Sequence, residues 1–317
     1  MVQRRRPRAG RRRGGILGAL GFAALLVLMY FAEPLGLGEW LDGLLGREAL
    51  PVSAIAELPA EGLAVSYIDV GQGDATLIVC NGEAMLIDAG VPEEGQTVVD
   101  YLAASGVDSL VYAVVTHAHD DHCGGMDEVV EAVDIGTLFA PYTEYGSSGA
   151  FTYFEDAAAE QGLYVTVPTI GSTFTLGGAE VSFVGPVGDW GDDLNDSSLI
   201  IRVDYGERSF LFPGDASDGV IEDSAYIGGY DLDCDVLKLG HHGSSTSTDE
   251  EILDLTTPEI AVASCGLDNS YGHPHQEVVD LLAQRGIELL RTDLDGTVTV
   301  WTDGEELSVY EPEAEAA

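Results

Sequence analysis

Thr116-His117-Ala118-His119-Asp120-Asp121-His122 gathers three of the chain's seven histidines and two carboxylates within six consecutive residues. Histidine is scarce, and its imidazole is a common ligand of zinc, manganese and iron, so this density points to metal rather than to a chance polar loop. Before the cluster, Leu110-Val111-Tyr112-Ala113-Val114-Val115 is an apolar, β-branched run. After it, Gly124-Gly125 precede Met126, Val129, Val130 and Val133, spaced as on a helix face. The cluster is therefore predicted in a strand-to-helix loop. On extended backbone His117 and His119 point to one side and can reach one ion, whereas a turn through Asp121-His122 presents a carboxylate and an imidazole to a second. Two adjacent metal sites are expected.

Other apolar runs end in polar residues in the same manner. Leu63 to Val70 and Ala75 to Cys80 read as two strands joined by a tight turn at Gly71-Gln72-Gly73-Asp74. A dinucleotide-binding reading of those glycines fails, because Thr76 stands where a third glycine belongs and a strand follows. Ala84-Met85-Leu86-Ile87 runs into Asp88, Ser209-Phe210-Leu211-Phe212 into Pro213-Gly214-Asp215, and Val236-Leu237-Lys238-Leu239 into Gly240-His241-His242. A lone carboxylate at the end of an apolar strand, Asp215, is placed to bridge two ions or to cap a helix. Either His241 or His242 is expected to close the second site with Asp121 and His122.

His117-x-His119-x-Asp121-His122 resembles the HxHxDH signature of the metallo-β-lactamase fold superfamily. The resemblance implies an α/β, four-layer αββα sandwich with one or two metals at the rim of its sheets, and mostly hydrolytic activities; it does not fix the substrate. It further implies that Asp215 bridges the ions and that Asp88 orients a ligating histidine through its other ring nitrogen. Many members use a further mid-chain histidine, but none occurs here between residues 123 and 194. The corresponding place is Asn195-Asp196-Ser197-Ser198, so water, Asn195 or Asp196 is expected to fill the first site.

Asp69 to Asp74, Asn195 to Ser198, Leu237 to Ser247, Ser264 to His275 and Arg291 to Gly296 together resemble the C-terminal metallo-hydrolase domain of the ComEC family of DNA-uptake proteins, over about residues 62 to 302. In that family the domain is joined to a polytopic competence channel and is thought to be a nuclease. Here a single apolar span stands in place of a channel, so uptake itself is not implied. By this resemblance His273 lies near the site as an acid for the leaving group or a phosphate contact; otherwise it belongs to the start of a helix over 276–284.

The N-terminus has seven arginines in its first thirteen residues and no acid, followed by an uncharged span. Residues 1–15 are expected to be a basic cytoplasmic tail, 16–32 a transmembrane anchor or signal, 33–61 a linker, 62–311 the hydrolase domain and 312–317 an acidic tail. The positive-inside rule then predicts a single-pass membrane protein with the hydrolase domain extracellular, or a secreted one if the span is cleaved. After residue 32 there are six basic residues and all 55 acidic ones, a formal charge near −49. A basic nucleic-acid stripe is absent from the sequence. The four cysteines lack zinc-finger spacing, and Cys123 reads as a small buried residue ahead of an extra ligand. Thr248 to Glu251 reads as a capping box and Gly286 as a helix stop.

The expected function is a metal-dependent hydrolase, a phosphodiesterase or nuclease using two divalent ions, zinc or manganese. Candidate ligands are His117, His119, Asp121, His122, Asp215, His241 and His242, with Lys238 or His273 stabilising developing charge. The alternatives are an acyl (lactam or lactone) hydrolase and a non-catalytic metal-binding module. Expected partners are a nucleic-acid or phosphodiester substrate and, through the N-terminal span, the membrane; no protein partner is inferred.

Overall fold

The computed structural model describes residues 58–188 and 193–310. The basic tail, the apolar span, the linker up to residue 57 and the last seven residues lie outside the described residues.

The described chain forms two sheets. The first runs β1 (Leu63–Tyr67), β2 (Thr76–Cys80), β3 (Glu83–Ile87), β4 (Ser109–Val114), β5 (Asp134–Phe139) and β6 (Val165–Thr166) in chain order, with β14 (Val298–Thr302) and β15 (Leu307–Tyr310) added beside β1. The second, in spatial order from one edge, is β13 (Glu288–Arg291), β12 (Ile260–Ala263), β11 (Val236–Lys238), β10 (Arg208–Phe212), β9 (Ile200–Tyr205), β8 (Ala179–Gly185) and β7 (Thr173–Leu176). Antiparallel pairing gives way to parallel in each: β3, β4, β5 and β6 are parallel, as are β10, β11, β12 and β13.

Period-two alternation decides the layers. In β3, Met85 and Ile87 face the second sheet while Ala84 and Leu86 pack under helices α1 (Gly95–Ala104), α3 (Met126–Ala132) and α4 (Gly149–Glu160). In β10, Phe210 and Phe212 meet the first sheet, and Leu211 packs with residues of α5 (Asp218–Tyr226), α6 (Glu250–Thr256) and α7 (Gln276–Arg285). Three apolar seams thus join four layers, αββα, and each fully buried Phe or Leu in them contributes about 1.5–3 kcal/mol. In α4 the buried residues Ala150, Phe151, Phe154, Ala157 and Ala158 form one helical stripe, and Ser148 starts the helix by accepting from Phe151 N at 3.1 Å.

The expected transmembrane helix, with the membrane partner and the extracellular single-pass placement built on it, is corrected. No helix among the described residues is long and apolar enough to cross a membrane. The longest of them, α4, has 12 residues, roughly 18 Å of rise against a hydrocarbon core of about 30 Å. The apolar span itself lies outside the described residues. Smaller differences are local. The stretch from Ile68 to Ala75 is a loop rather than a tight turn, closed by Ile68 N donating to Ala75 O at 2.9 Å. Asp249, not Thr248, caps α6, accepting from Ile252 N at 2.9 Å.

Candidate metal centre

In a parallel run the chain leaves the ladder at the carboxyl end of each strand, so loops from several strands meet at one rim. Here β3 runs into Asp88, β4 into Thr116-His117, β10 into Asp215, β11 into His241-His242 and β12 into Ser264. The rim is stitched across the two sheets by Leu199 N donating to Thr116 O at 3.1 Å, and within the loops by His241 N to Gly214 O at 3.0 Å and Asp74 N to Asp121 O at 3.0 Å.

The one-turn helix α2 (Asp120–Cys123) aims the histidines. His119 O accepts from His122 N at 3.1 Å and Cys123 N at 3.0 Å, turning His122 inward. His119 itself remains on extended backbone, with Nδ1 3.0 Å from His117 Nε2. Asp88, in the left-handed region at φ 58°, accepts from Thr116 N and Oγ1 at 2.7 Å each and lies 2.8 Å from His122 Nδ1. That leaves His122 Nε2 facing Asp215 Oδ1 at 3.2 Å. His242 is held likewise: Nδ1 is 3.1 Å from Asp74 Oδ1 and 3.0 Å from Ser264 O, so Nε2 faces Asp121 Oδ2 at 3.3 Å and Asp215 Oδ2 at 3.6 Å. His241 Nε2 and His117 Nε2 lie 3.6 and 3.9 Å from Asp215 Oδ2. Four imidazoles therefore surround one carboxylate. His241 and His242 are both left-handed, at φ 49° and 58°, a conformation costing on the order of 1–3 kcal/mol per non-glycine residue and concentrated at functional sites.

Asp74, His122, Asp215 and His242 are all buried and each brings a ligand atom within 4.8 Å of the others. His122 Nε2, Asp215 Oδ1 and His242 Nε2 are buried without a hydrogen-bond partner. Unpaired buried polar atoms are expensive, and three converging on one spot fit a divalent cation. Imidazole with carboxylate is a donor set that zinc and manganese accept.

The charges agree. Burial acts to lower the pKa of His122, but Asp215 and Asp88 raise it well above its ordinary value; His242, also desolvated, is lifted to about 9 by Asp215, Asp74 and Asp121. Asp215 stays well below the carboxylate range: burial opposes this, and His122 and His242 outweigh it. His117, buried and beside His122, is pushed well down. Asp215 thus draws positive charge onto both rings, as it would draw a cation.

The seven candidate ligands His117, His119, Asp121, His122, Asp215, His241 and His242 meet at this rim. Asn195 lines the cleft above it with Oδ1 buried and unpartnered, whereas Asp196 Oδ1 accepts from Ser217 N at 3.0 Å. His273 also lines the cleft, stacked on His242 at 5.9 Å between ring centroids. Burial and the neighbouring histidines pull its pKa to about 4. Lys238 does not line the cleft: it is buried beneath, with Nζ 2.6 Å from Asp74 Oδ2. Cys123 is a free, buried thiol packed in the helix seam, its pKa pushed up to about 12 by burial. Sequence reasoning missed Asp74, and also Ser198, whose Oγ accepts from Asp215 N at 3.0 Å and lies 3.3 Å from His117 Nδ1. The available signal for Asp74 was a carboxylate in a loop leaving the same sheet as Asp88.

The cleft has a volume of about 700 Å³ and is walled by Gln72, Tyr145, Ser147, Leu194 and Tyr271 besides the histidines and aspartates; among the described residues no lysine or arginine lines it. Space, a desolvated ligand cluster and an open mouth are the features of a hydrolytic site rather than of a closed structural ion site.

Comparison with known proteins gives the same direction. The sequence profile of the Metallo-beta-lactamase superfamily matches residues 68–267. Competence protein ComA of Neisseria gonorrhoeae is 34% identical over 280 residues, covering 87% of this chain and 37% of that protein. Recombination protein 2 of Haemophilus influenzae is 31% identical over 242 residues, covering 74% of this chain and 28% of that protein. The chain thus spans about a third of the length of these curated relatives. Among solved structures, CmlA, a diiron β-hydroxylase from Streptomyces venezuelae, is similar in fold with a TM-score of 0.52 at 17% identity, covering 77% of this chain and 54% of that one.

Proposed function

The chain belongs to the metallo-β-lactamase superfamily, with homology to the competence proteins of the ComEC family, and on that premise we propose that this metal-dependent hydrolase cleaves phosphodiesters. The observation that carries the metal chemistry is the convergence of His122 Nε2, Asp215 Oδ1 and His242 Nε2, buried and unpartnered, on one spot. The phosphodiester rests on homology to proteins whose names speak of competence and recombination, both transactions of nucleic acid.

Two ions are proposed. Asp215 would be the residue they share, since imidazoles from both halves of the His117-to-His122 stretch face it. His117 and His119 would hold one ion and Asp121, His122 and His242 the other, with His241 beside Asp215 at the mouth. When bound, zinc or manganese would supply Lewis acidity, lowering the pKa of water toward about 7 and polarising the phosphoryl oxygen. The chain supplies the orientation. Asp88 fixes His122 and Asp74 fixes His242 through their Nδ1 atoms, so that each Nε2 is presented bare. His273, neutral at pH 7 with a pKa of about 4, serves as a hydrogen-bonding contact to substrate and not as a general acid. Lys238, spent on Asp74, takes no part in binding phosphate.

A second reading, hydrolysis of an acyl bond such as a lactam or lactone, is favoured by one observation: among the described residues the cleft wall offers a polyanion no cationic side chain. The test is the purified full chain, analysed for metal and offered single-stranded DNA, bis-p-nitrophenyl phosphate and a lactam and lactone panel with manganese or zinc. Diester cleavage that disappears in Asp215→Ala supports the proposal. Acyl cleavage alone transfers the function to the second reading, and bound metal without any turnover leaves a metal-binding module.

A further inference from the structure

The carboxylate of Asp74 has two competing partners, a metal ion and the ammonium of Lys238. Lys238 is 2% exposed and Asp74 is 4% exposed. Lys238 Nζ lies 2.6 Å from Asp74 Oδ2 and donates to Leu239 O at 3.0 Å. The other carboxylate oxygen, Oδ1, lies 3.1 Å from His242 Nδ1. Both oxygens of Asp74 are therefore already engaged, Oδ2 also lying 4.0 Å from His122 Nδ1, and the nitrogen of His242 that makes no hydrogen bond, Nε2, is the one facing Asp121 and Asp215.

We propose that Lys238 is a positioning residue for the metal centre: it neutralises Asp74 and turns that carboxylate into the hydrogen-bond acceptor for His242 Nδ1–H, so that Asp74 orients a ligand and is not itself one. A buried carboxylate without a counterion would be driven either to take up a proton or to seek the cation above it, and in both cases His242 would lose its fixed acceptor. The ammonium removes both outcomes. The same lysine and both orienting carboxylates, Asp74 and Asp88, border one small internal cavity beneath the rim with Thr76 and Thr116. Lys238 thus shares one cavity wall with the acceptors of both His242 and His122.

This inference rests on the proposed metal centre, and the experiment separates the two. Zinc and cobalt(II) affinities are measured by chelator competition, with cobalt(II) absorption spectra, for the full chain and for Lys238→Met, Asp74→Asn and the double variant. In Lys238→Met, affinity falls about 10–100-fold, the usual effect of losing an orienting partner. The asparagine of Asp74→Asn keeps an oxygen for His242 Nδ1–H and needs no counterion. The double variant, which buries no charge in place of the pair, therefore binds metal more tightly than Lys238→Met alone and shows the wild-type cobalt spectrum. Should Lys238→Met fail to fold, the double variant against Asp74→Asn still decides the matter: equal affinity and equal spectra are expected. A cobalt spectrum that loses a donor in Asp74→Asn, or a double variant weaker than either single one, would make Asp74 a ligand and overturn the proposal. A wild-type chain that binds neither metal removes the centre and this inference together, whereas tight wild-type binding unmoved by any variant removes only this inference.

Discussion

Zinc entering the metal-stripped protein has to displace protons, and the structure says from where. His242 is held at about 9 and His122 well above its ordinary value, Asp215 being the first charge responsible in each case. Against an unperturbed value of about 6.5, the shift of His242 corresponds to roughly 3 kcal/mol. Because the folded value is the higher one, this stabilisation of the metal-stripped fold is complete below pH ~6.5 and is lost as pH rises through about 9. The same shift opposes the metal. At pH ~7 an ion displacing that proton forfeits about 100-fold in apparent affinity, regained at about tenfold per pH unit up to the folded pKa. Calorimetric titration with zinc in two buffers of different ionisation enthalpy measures the protons directly, and about two are expected at pH ~7.5, one from each imidazole. Asp215→Asn removes the shared anion, so proton release falls and the dependence of affinity on pH flattens. Zinc binding to the wild-type chain with no proton release near neutrality, or release unchanged in Asp215→Asn, would refute the charge assignment.

Other expectations are narrower. Asp88→Asn, which loses the charge behind His122 Nδ1, weakens zinc binding by about 10–100-fold in chelator competition while leaving the circular dichroism spectrum unchanged. Gly214 sits at φ +58°, and a Cβ there would lie 2.9 Å from Ser198 Cβ and Oγ; Gly214→Ala should cost on the order of 1–3 kcal/mol in denaturant melts and loosen the Asp215 turn. If single-stranded DNA is the substrate, its cleavage at saturating manganese rises as monovalent salt goes from about 0.01 to about 0.1 M, because the Debye length shrinks from about 30 to about 10 Å and unmasks the metal site from the acidic shell. A small diester should respond little over that range. A steep fall with salt for DNA would show that basic contacts drive its binding.

Much of this was legible from local pattern alone. The strand before His117 and the helix face after Gly125 follow from hydrophobic periodicity, and the density of metal-ligating side chains between them needs no tertiary information. The polar residues ending β10 and β11 were equally visible, since a strand that runs into Asp215 or His241 announces its rim. What could not be read were pairings made across the fold. Asp74 lies 164 residues before Lys238, and nothing in either stretch says that one will neutralise the other; the lysine was read as a candidate to stabilise developing charge because only burial removes it from the cleft. The choice between His241 and His242 failed for a similar reason. Consecutive residues on extended backbone would diverge, but the left-handed turn through both keeps each within 3.6 Å of Asp215. The membrane expectation rested on the arginines and the apolar span at the chain's start, which lie outside the described residues.

The distribution of the ligands along the chain has a mechanical meaning. Loops leaving the first sheet supply His117, His119, Asp121 and His122, and loops leaving the second supply Asp215, His241 and His242. An ion held by both groups of candidate ligands would span the seam between the sheets, as a clasp closes the two covers of a book along their free edge. Unlike a site whose donors lie within one short loop, this clasp cannot fasten until both covers have folded and closed, so metal uptake reports completion of the whole domain. Its removal should let the covers part at the rim first, and hydrogen exchange at the ends of β4 and β10 is where that opening would begin to show.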